Sequence, residues 1–527
     1  MPEDFYLRPN VVMEPLVHHW YAWSHLIPPA TAARNETERH LRIMDSFIRS
    51  PEAHAAAVKD PKLLGGPFMD LSEDHVDLVK QLADETRNSP LANLSQAICQ
   101  LDAMLRANAK GYSLEPLYAM VPEPLRGYVE LVYDLHNHAS FRLLEPLIYK
   151  SDFYNPKLQS LMLSVITGDD RPFVLSTPRF KEKNCVHLST PFASEQIDFL
   201  FQLKDRPATF PAIKDRLGLS DEDDEVFSTF LSTRPGRKYQ LYDGNAARWR
   251  YFGHACILVE AGGASILTDP VLSYTYENNI SRYTYEDLPD VIDCVVITHN
   301  HQDHLLFETL LQLRSRIRTI VVPRNASGSL QDPSMKLILR QCGFNNVVEM
   351  EEMEEAQFGP LHITTLPFLG EHGDLDIRTK LAYFVRVNGH SLLFAADSCN
   401  ISPEMYRHVH AELGDVDVVF LGMECSGAPM SWLYGPLLTE RMERAQDQSR
   451  RLAGSNFERG NAIVEQFHSK EVYVYAMGQE PWLNYVMSVK YTPESHPIVQ
   501  SNQLLEACRA KGIVAERLFG EKEILLP

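Results

Sequence analysis

The segment Thr298-His299-Asn300-His301-Gln302-Asp303-His304 gathers three imidazoles and a carboxylate. Nitrogen and oxygen donors at this density suit a metal cation. On an extended segment, residues two apart share a side. His299 and His301 can therefore grip one ion from a strand end, while Asp303 and His304 turn towards a second. A two-ion site needs further ligands from other strand ends, and two segments offer them. Gly370-Glu371-His372-Gly373-Asp374 follows an apolar run at His362 to Leu366, and its glycines permit a tight turn that would aim a ligand. Phe394-Ala395-Ala396-Asp397-Ser398 closes another run, with Asp397 placed where it could bridge two cations. Asp134-Leu135-His136-Asn137-His138 is a weaker cluster. On the helix expected for Gly127 to Leu144, His136 and His138 point to different sides and do not share an ion.

The elements that would position these residues are short. From Arg248 onward, β-branched and aromatic runs alternate with turns: Tyr251 to Glu260, Ser265 to Thr268, Cys294 to Thr298, Thr319 to Val322, His362 to Leu366, Ala382 to Val387, Ser391 to Ala395, Val416 to Leu421 and Val472 to Tyr475. Helical segments such as Pro333 to Gln341 and Asn456 to His468 intervene. Glu36 to Ile148 reads as mostly helical, notably at Asp74 to Arg87 and Leu91 to Ala107. Between Pro172 and Gln240 the signal is mixed, and the acidic stretch Asp221 to Glu225 reads as a solvated loop. The expected class is α+β, with a helix-rich domain over 1–245 and a layered domain over 246–527.

A chain of 527 residues is long enough for two such cores. Its formal charge of −20 disfavours nucleic acid as a partner. No apolar stretch is long enough to cross a bilayer and no secretory signal opens the chain, so a cytoplasmic location is expected. Eight scattered cysteines without a C-x-x-C pair read as buried thiols.

With Gly253-His254 and Leu267-Thr268-Asp269-Pro270 before it and Asp397 after it, the histidine-rich motif resembles the metallo-β-lactamase superfamily over residues 246–527. That resemblance implies an αββα sandwich with metals at one edge. The long N-terminal region, the Gly370-Glu371-His372 segment and Gly422-Met423-Glu424-Cys425 are similar to the diiron β-hydroxylases of nonribosomal peptide biosynthesis. The resemblance implies that His299, His301 and Glu371 hold one iron, Asp303 and His304 the other, and that Asp397 bridges. Glu424 would lie beside the pair as a catalytic group. It further implies dioxygen as co-substrate, an aminoacyl thioester on a peptidyl carrier domain as substrate, an external electron-donor protein, and a homodimer formed through the N-terminal half.

One departure from zinc hydrolases of that superfamily supports iron. After Val472 to Tyr475 comes Ala476-Met477-Gly478-Gln479-Glu480 without a histidine, leaving open positions on the second metal. A carboxylate-rich donor set also favours iron over zinc. His372 keeps the alternative in play: as ligand in place of Glu371 it would restore a zinc-type shell and a hydrolase acting on a thioester, lactone or phosphodiester. The remaining histidines, His254, His468 and His496 among them, read as structural or supporting. The hydroxylated amino acid, aromatic or aliphatic, is not legible at this level.

Overall fold

The computed structural model describes residues 3–526 except residue 245, so the boundary expected at 245 falls outside the described residues. Two seven-stranded sheets form from strands between Ala247 and Leu526. The first runs, edge to edge, Val347–Met350, Ile320–Pro323, Cys294–Val296, Ala264–Thr268, Cys256–Ala261, Ala247–Gly253 and Lys522–Leu526. The second runs Glu355–Phe358, Leu361–Leu366, Ala382–Val387, His390–Phe394, Val418–Gly422, Glu471–Tyr475 and Val514–Arg517. In each, antiparallel hairpins give way to parallel strands joined by helical crossovers.

The facing sheets share one core, in which Trp249 meets Phe420 edge-on at 5.0 Å between ring centres. Outside the second sheet lie the helices Pro403–Leu413, Phe457–Gln466 and His496–Ala510. Outside the first lie Phe307–Leu313 and Met335–Gln341, and beyond them the N-terminal half. The result is the layered αββα arrangement. Strands near the layer centre, such as Cys294–Val296, are buried on both faces and therefore show no alternation.

The N-terminal half is helix-rich but also contributes a four-stranded sheet around Val11–Val17. Its core merges with that of the first sheet: Leu7, Val11, Phe192 and Phe201 pack with Leu267, Val295 and Leu310. The seven residues of Phe307–Leu313 are all buried at this junction. From that helix, Glu308 accepts hydrogen bonds from Arg171 (2.8 Å), Tyr274 (2.8 Å) and Tyr21 (2.9 Å). Arg171 also reaches Glu14 at 3.0 Å, and Glu14 pairs with Arg179 at 2.6 Å. These paired charges tie the Val11–Val17 strand to the helix that follows His304.

Three expectations are corrected. Gly127 to Leu144 is not helical: Val129–Tyr133 pairs antiparallel with Ala139–Leu143. Its alternation of buried Val129 and Leu131 with exposed Glu130 is a strand period, too short at five residues to stand out. The Asp134 carboxylate holds the turn, accepting from the amides of His136 and His138 at 2.8 Å each. The acidic stretch is not a loop either, because Asp221–Asp223 and Asp224–Ser228 are short helices whose first turns favour carboxylates. Finally, the run Tyr251 to Glu260 is two strands, broken at His254. All eight cysteines are free, with Cys99 and Cys425 only partly buried. Among the described residues, no helix is long and apolar enough to cross a membrane.

Removing one partner from the buried network leaves Arg171 undercompensated. Glu308→Ala should therefore destabilise the protein by roughly 3–5 kcal/mol, read as a lower urea midpoint. A loss below about 1 kcal/mol would mean that the network behaves like a surface ion pair.

Candidate metal centre

All six expected ligands converge where the strand ends of the two sheets meet. Cys294–Val296 delivers the loop carrying His299 to His304, the loop after Leu361–Leu366 delivers Glu371, and His390–Phe394 delivers Asp397. The backbone here is unusual. His254, Asp269, Ala396 and Ala476, each within two residues of the end of a strand that borders the site, and Glu371, in the loop after Leu361–Leu366, all have positive φ, between 32° and 66°. Non-glycine residues in this region cost about 1–3 kcal/mol each and cluster where side chains must be aimed.

Three donor groups form. His299, His301 and Glu371 make one; His299, His304 and Asp397 a second; His254, Asp303 and His304 a third. Within the first, His299 Nε2 lies 3.1 Å from His301 Nδ1, and Glu371 Oε2 lies 3.0 Å from His301 Nδ1 and 3.9 Å from His299 Nε2. Asp397 Oδ2 lies 2.9 Å from His304 Nε2 and 3.8 Å from His299 Nε2, between the first and third groups. In the third, His254 Nε2 is 3.1 Å from Asp303 Oδ2 and 3.3 Å from His304 Nε2.

Hydrogen bonds on the far side of each ring aim the imidazoles. The buried Asp269 accepts from the Thr298 amide (2.7 Å) and hydroxyl (2.6 Å), and its Oδ2 meets His304 Nδ1 at 2.8 Å. That leaves His304 Nε2 facing the donors. Thr298 Oγ1 meets His299 Nδ1 at 3.0 Å, which turns His299 Nε2 the same way. On His301 the pattern is reversed: Nε2 bonds Tyr434 Oη at 2.9 Å and Nδ1 faces inward. Such partners fix tautomer and ring orientation in metal sites.

Electrostatics divide the histidines. Burial opposes charge on His304, but Asp397, Asp303 and Asp269 override it and hold its pKa well above the ordinary value. Burial among other imidazoles pushes His299 well below. Burial raises Glu371 despite the opposing attraction of His301. It also raises Glu424, although Glu424 accepts a hydrogen bond from the Tyr491 hydroxyl and one from the Ser426 amide at 2.9 Å. His372 meets the Gly370 carbonyl at Nδ1 (3.2 Å), its Nε2 is buried without a hydrogen-bond partner, and it joins none of the donor groups found among the described residues.

A cavity of about 560 Å³ opens over the centre, lined by His301, Asp303, Glu371, Asp397 and Glu424 and by apolar side chains such as Trp432 and Leu452. Sequence reading set His254 aside and did not single out Tyr434. Gly253-His254, part of the superfamily resemblance, could have signalled the first, since a glycine break inside an apolar run marks a turn at strand ends, here between Ala247–Gly253 and Cys256–Ala261. Tyr434 lies on Met430–Tyr434, far along the chain, and carries no local signal.

Comparison with known proteins agrees with this geometry. Residues 6–235 match the family described as diiron non-heme beta-hydroxylase N-terminal domain, and residues 264–432 match the beta-lactamase superfamily domain. The chain is 41% identical, over 99% of both lengths, to the 4-amino-L-phenylalanyl-(CmlP-peptidyl-carrier-protein) 3-hydroxylase of Streptomyces venezuelae. It superposes on the crystal structure of CmlA, a diiron beta-hydroxylase from that organism, with a TM-score of 0.94 and 39% identity over the whole of both chains. A metal-dependent hydrolase of Hyperthermus butylicus is 35% identical over 74 residues, 14% of this chain and 31% of its own. Whole-length similarity of sequence and fold thus goes with the hydroxylases, and the chain belongs to the family of diiron non-heme β-hydroxylases.

Proposed function

We propose that this protein is an O2-dependent diiron monooxygenase that hydroxylates the β-carbon of an aminoacyl group held as a thioester on a peptidyl carrier protein, in nonribosomal peptide biosynthesis. The observation that carries this reading is the pair of donor groups joined through Asp397 beneath a cavity, in a chain similar over its whole length to such a hydroxylase.

The residues fit two irons. Ligand atoms about 2.0–2.2 Å from one ion stand about 3–3.5 Å apart, the spacing seen between His299 Nε2, His301 Nδ1 and Glu371 Oε2 at its shorter contacts. Asp397 Oδ1 is buried without a hydrogen-bond partner, as a bridging carboxylate oxygen awaiting a cation would be. On this reading His299, His301 and Glu371 hold one iron, Asp303 and His304 the other, and Asp397 bridges, with His254 bordering the second position. Three carboxylates in the set suit iron better than zinc. When bound, the irons would couple dioxygen, two electrons from an external donor and two protons to insertion of one oxygen atom into a C–H bond, the other atom leaving as water.

The chain's own residues do the rest. Asp269, Thr298 and Tyr434 keep the imidazoles aimed, so that little reorganisation accompanies the reaction. Trp432, Leu433 and Leu452 keep the cavity wall apolar and limit water beside the reacting carbon. Glu424 faces the same cavity with a pKa raised by burial and serves as its proton-carrying group, its carboxyl oriented by Tyr491. Residues 246–527 form the catalytic part. Residues 1–245 serve carrier docking and pairing with a second copy, and the enzyme works in the cytoplasm.

The direct test incubates iron-loaded protein with aminoacyl carrier protein, reductant and dioxygen and weighs the carrier. A gain of one oxygen atom on the aminoacyl arm is expected, whereas release of the aminoacyl group without oxygen uptake would transfer the protein to the hydrolases. A second comparison separates the neighbouring candidates. Glu371→Ala should remove about one metal per chain and lower turnover more than roughly 100-fold, while His372→Ala should keep both metals and lose less than about tenfold. The reverse order would make His372 the ligand.

A further inference from the structure

A second cavity of about 440 Å³ adjoins the one over the metal centre, and the two share the residues Leu64, Gly65, Ser488 and Lys490. These four form the shared boundary, or neck, between them. Leu64 and Gly65 come from the N-terminal half, and Ser488 ends the turn Asn484–Met487 with φ of 52°. The approach is close: a β-carbon on Gly65, itself at φ +70°, would lie 3.3 Å from Ser488 Cβ. Trp432 Nε1 donates to the Gly65 carbonyl at 3.1 Å, which ties the neck to the segment carrying Tyr434.

The charge pattern around the neck is uneven. The inner cavity carries Asp303, Glu371, Asp397 and Glu424, and the outer one carries Asp70, Asp169 and Asp170. Among the described residues, Lys490 is the only lysine or arginine lining the inner cavity. The outer cavity adds Arg171, but its guanidinium is committed to Glu14 and Glu308 and stacked 3.6 Å over the Tyr485 ring. Lys490 is exposed, so its ammonium can meet a ligand without the cost of breaking a buried pair.

Resting on the carrier-bound substrate reading above, we propose that Lys490 binds the phosphodiester of the carrier's phosphopantetheine arm and so sets how deep the thioester end enters. An arm reaching the centre by way of the outer cavity brings one phosphate anion past Asp70 and Asp170, and Lys490 is the exposed cation at the boundary it then meets. The pantetheine amides beyond it face Ser426, Ser495 and His496 on the inner wall. Holding the phosphate at the neck leaves the uncharged portion of the arm to reach the carboxylate-lined centre. Lys490 is thus a positioning residue, acting on the phosphate of the substrate and not on the reacting carbon.

Three substrates with the same aminoacyl group test this: the aminoacyl carrier protein, the free aminoacyl phosphopantetheine thioester, and the aminoacyl pantetheine thioester, which lacks the phosphate. Lys490→Glu and Lys490→Ala should raise KM on the two phosphorylated substrates, by roughly tenfold for the alanine, and lower kcat on them severalfold because the depth of the arm is no longer fixed. KM on aminoacyl pantetheine should not change, and Lys490→Arg should behave as wild type. Equal loss on all three substrates, no loss on any, or loss confined to the intact carrier protein would each overturn the phosphate assignment. Wild-type protein that oxidises none of the three would instead overturn the carrier-substrate reading.

Discussion

The buried carboxylate of Asp269 is the constraint on which the centre depends. It has no exposure to solvent, and its hydrogen bonds go to the Thr298 backbone, the Thr298 hydroxyl and the His304 ring. Through Thr298 the same carboxylate also settles His299. One anion thus orients two imidazoles that leave the chain in different directions, and it does so from the neighbouring strand Ala264–Thr268, paired in parallel with Cys294–Val296. A buried carboxylate without such partners would cost several kcal/mol, so the strand pairing and the ring orientations are energetically linked. The sheet register becomes, in effect, part of the metal chemistry.

The surrounding architecture serves that linkage. Sheets twist, so their strand ends fan out and cannot all point at one spot without local bending. The five positive-φ residues around the centre supply that bending, and the strain they store is sustained by the rigid aromatic core between the sheets. On the other side, the Glu14, Arg171 and Glu308 network clamps the helix that follows the metal loop against the N-terminal half. Ser24, from that same half, bonds the Asn300 carbonyl within the loop at 3.3 Å. The N-terminal region is therefore part of the frame that shapes the cavity, and its core is continuous with that of the first sheet.

How much of this the sequence carried varied with locality. The His299 to His304 motif was legible because four donors crowded on one short loop have few roles besides holding cations, and Asp397 followed from its place after an apolar run. Most strand positions in the second half were also readable, since buried strands there are short and β-branched. That Glu371 and not His372 would lie in a donor group with His299 and His301 was not, because it turns on a left-handed backbone at Glu371 that adjacent glycines permit but do not require. His254 and Tyr434 approach the centre only through tertiary folding. The hairpin at Val129–Tyr133 was misread because two five-residue strands give too short an alternation, and the edge strands Val347–Met350, Glu355–Phe358, Val514–Arg517 and Lys522–Leu526 escaped because half-exposed edges carry weak patterns.

The central claim is that this donor set selects a pair of irons. Counting metals per chain, on protein expressed with iron and zinc both in ample supply, tests it most directly. Close to two irons and little zinc are predicted for the wild type, with Asp397→Ala losing at least one iron because the carboxylate between His299 and His304 is gone. Two tightly held zincs in the presence of plentiful iron, unchanged by Asp397→Ala, would contradict it.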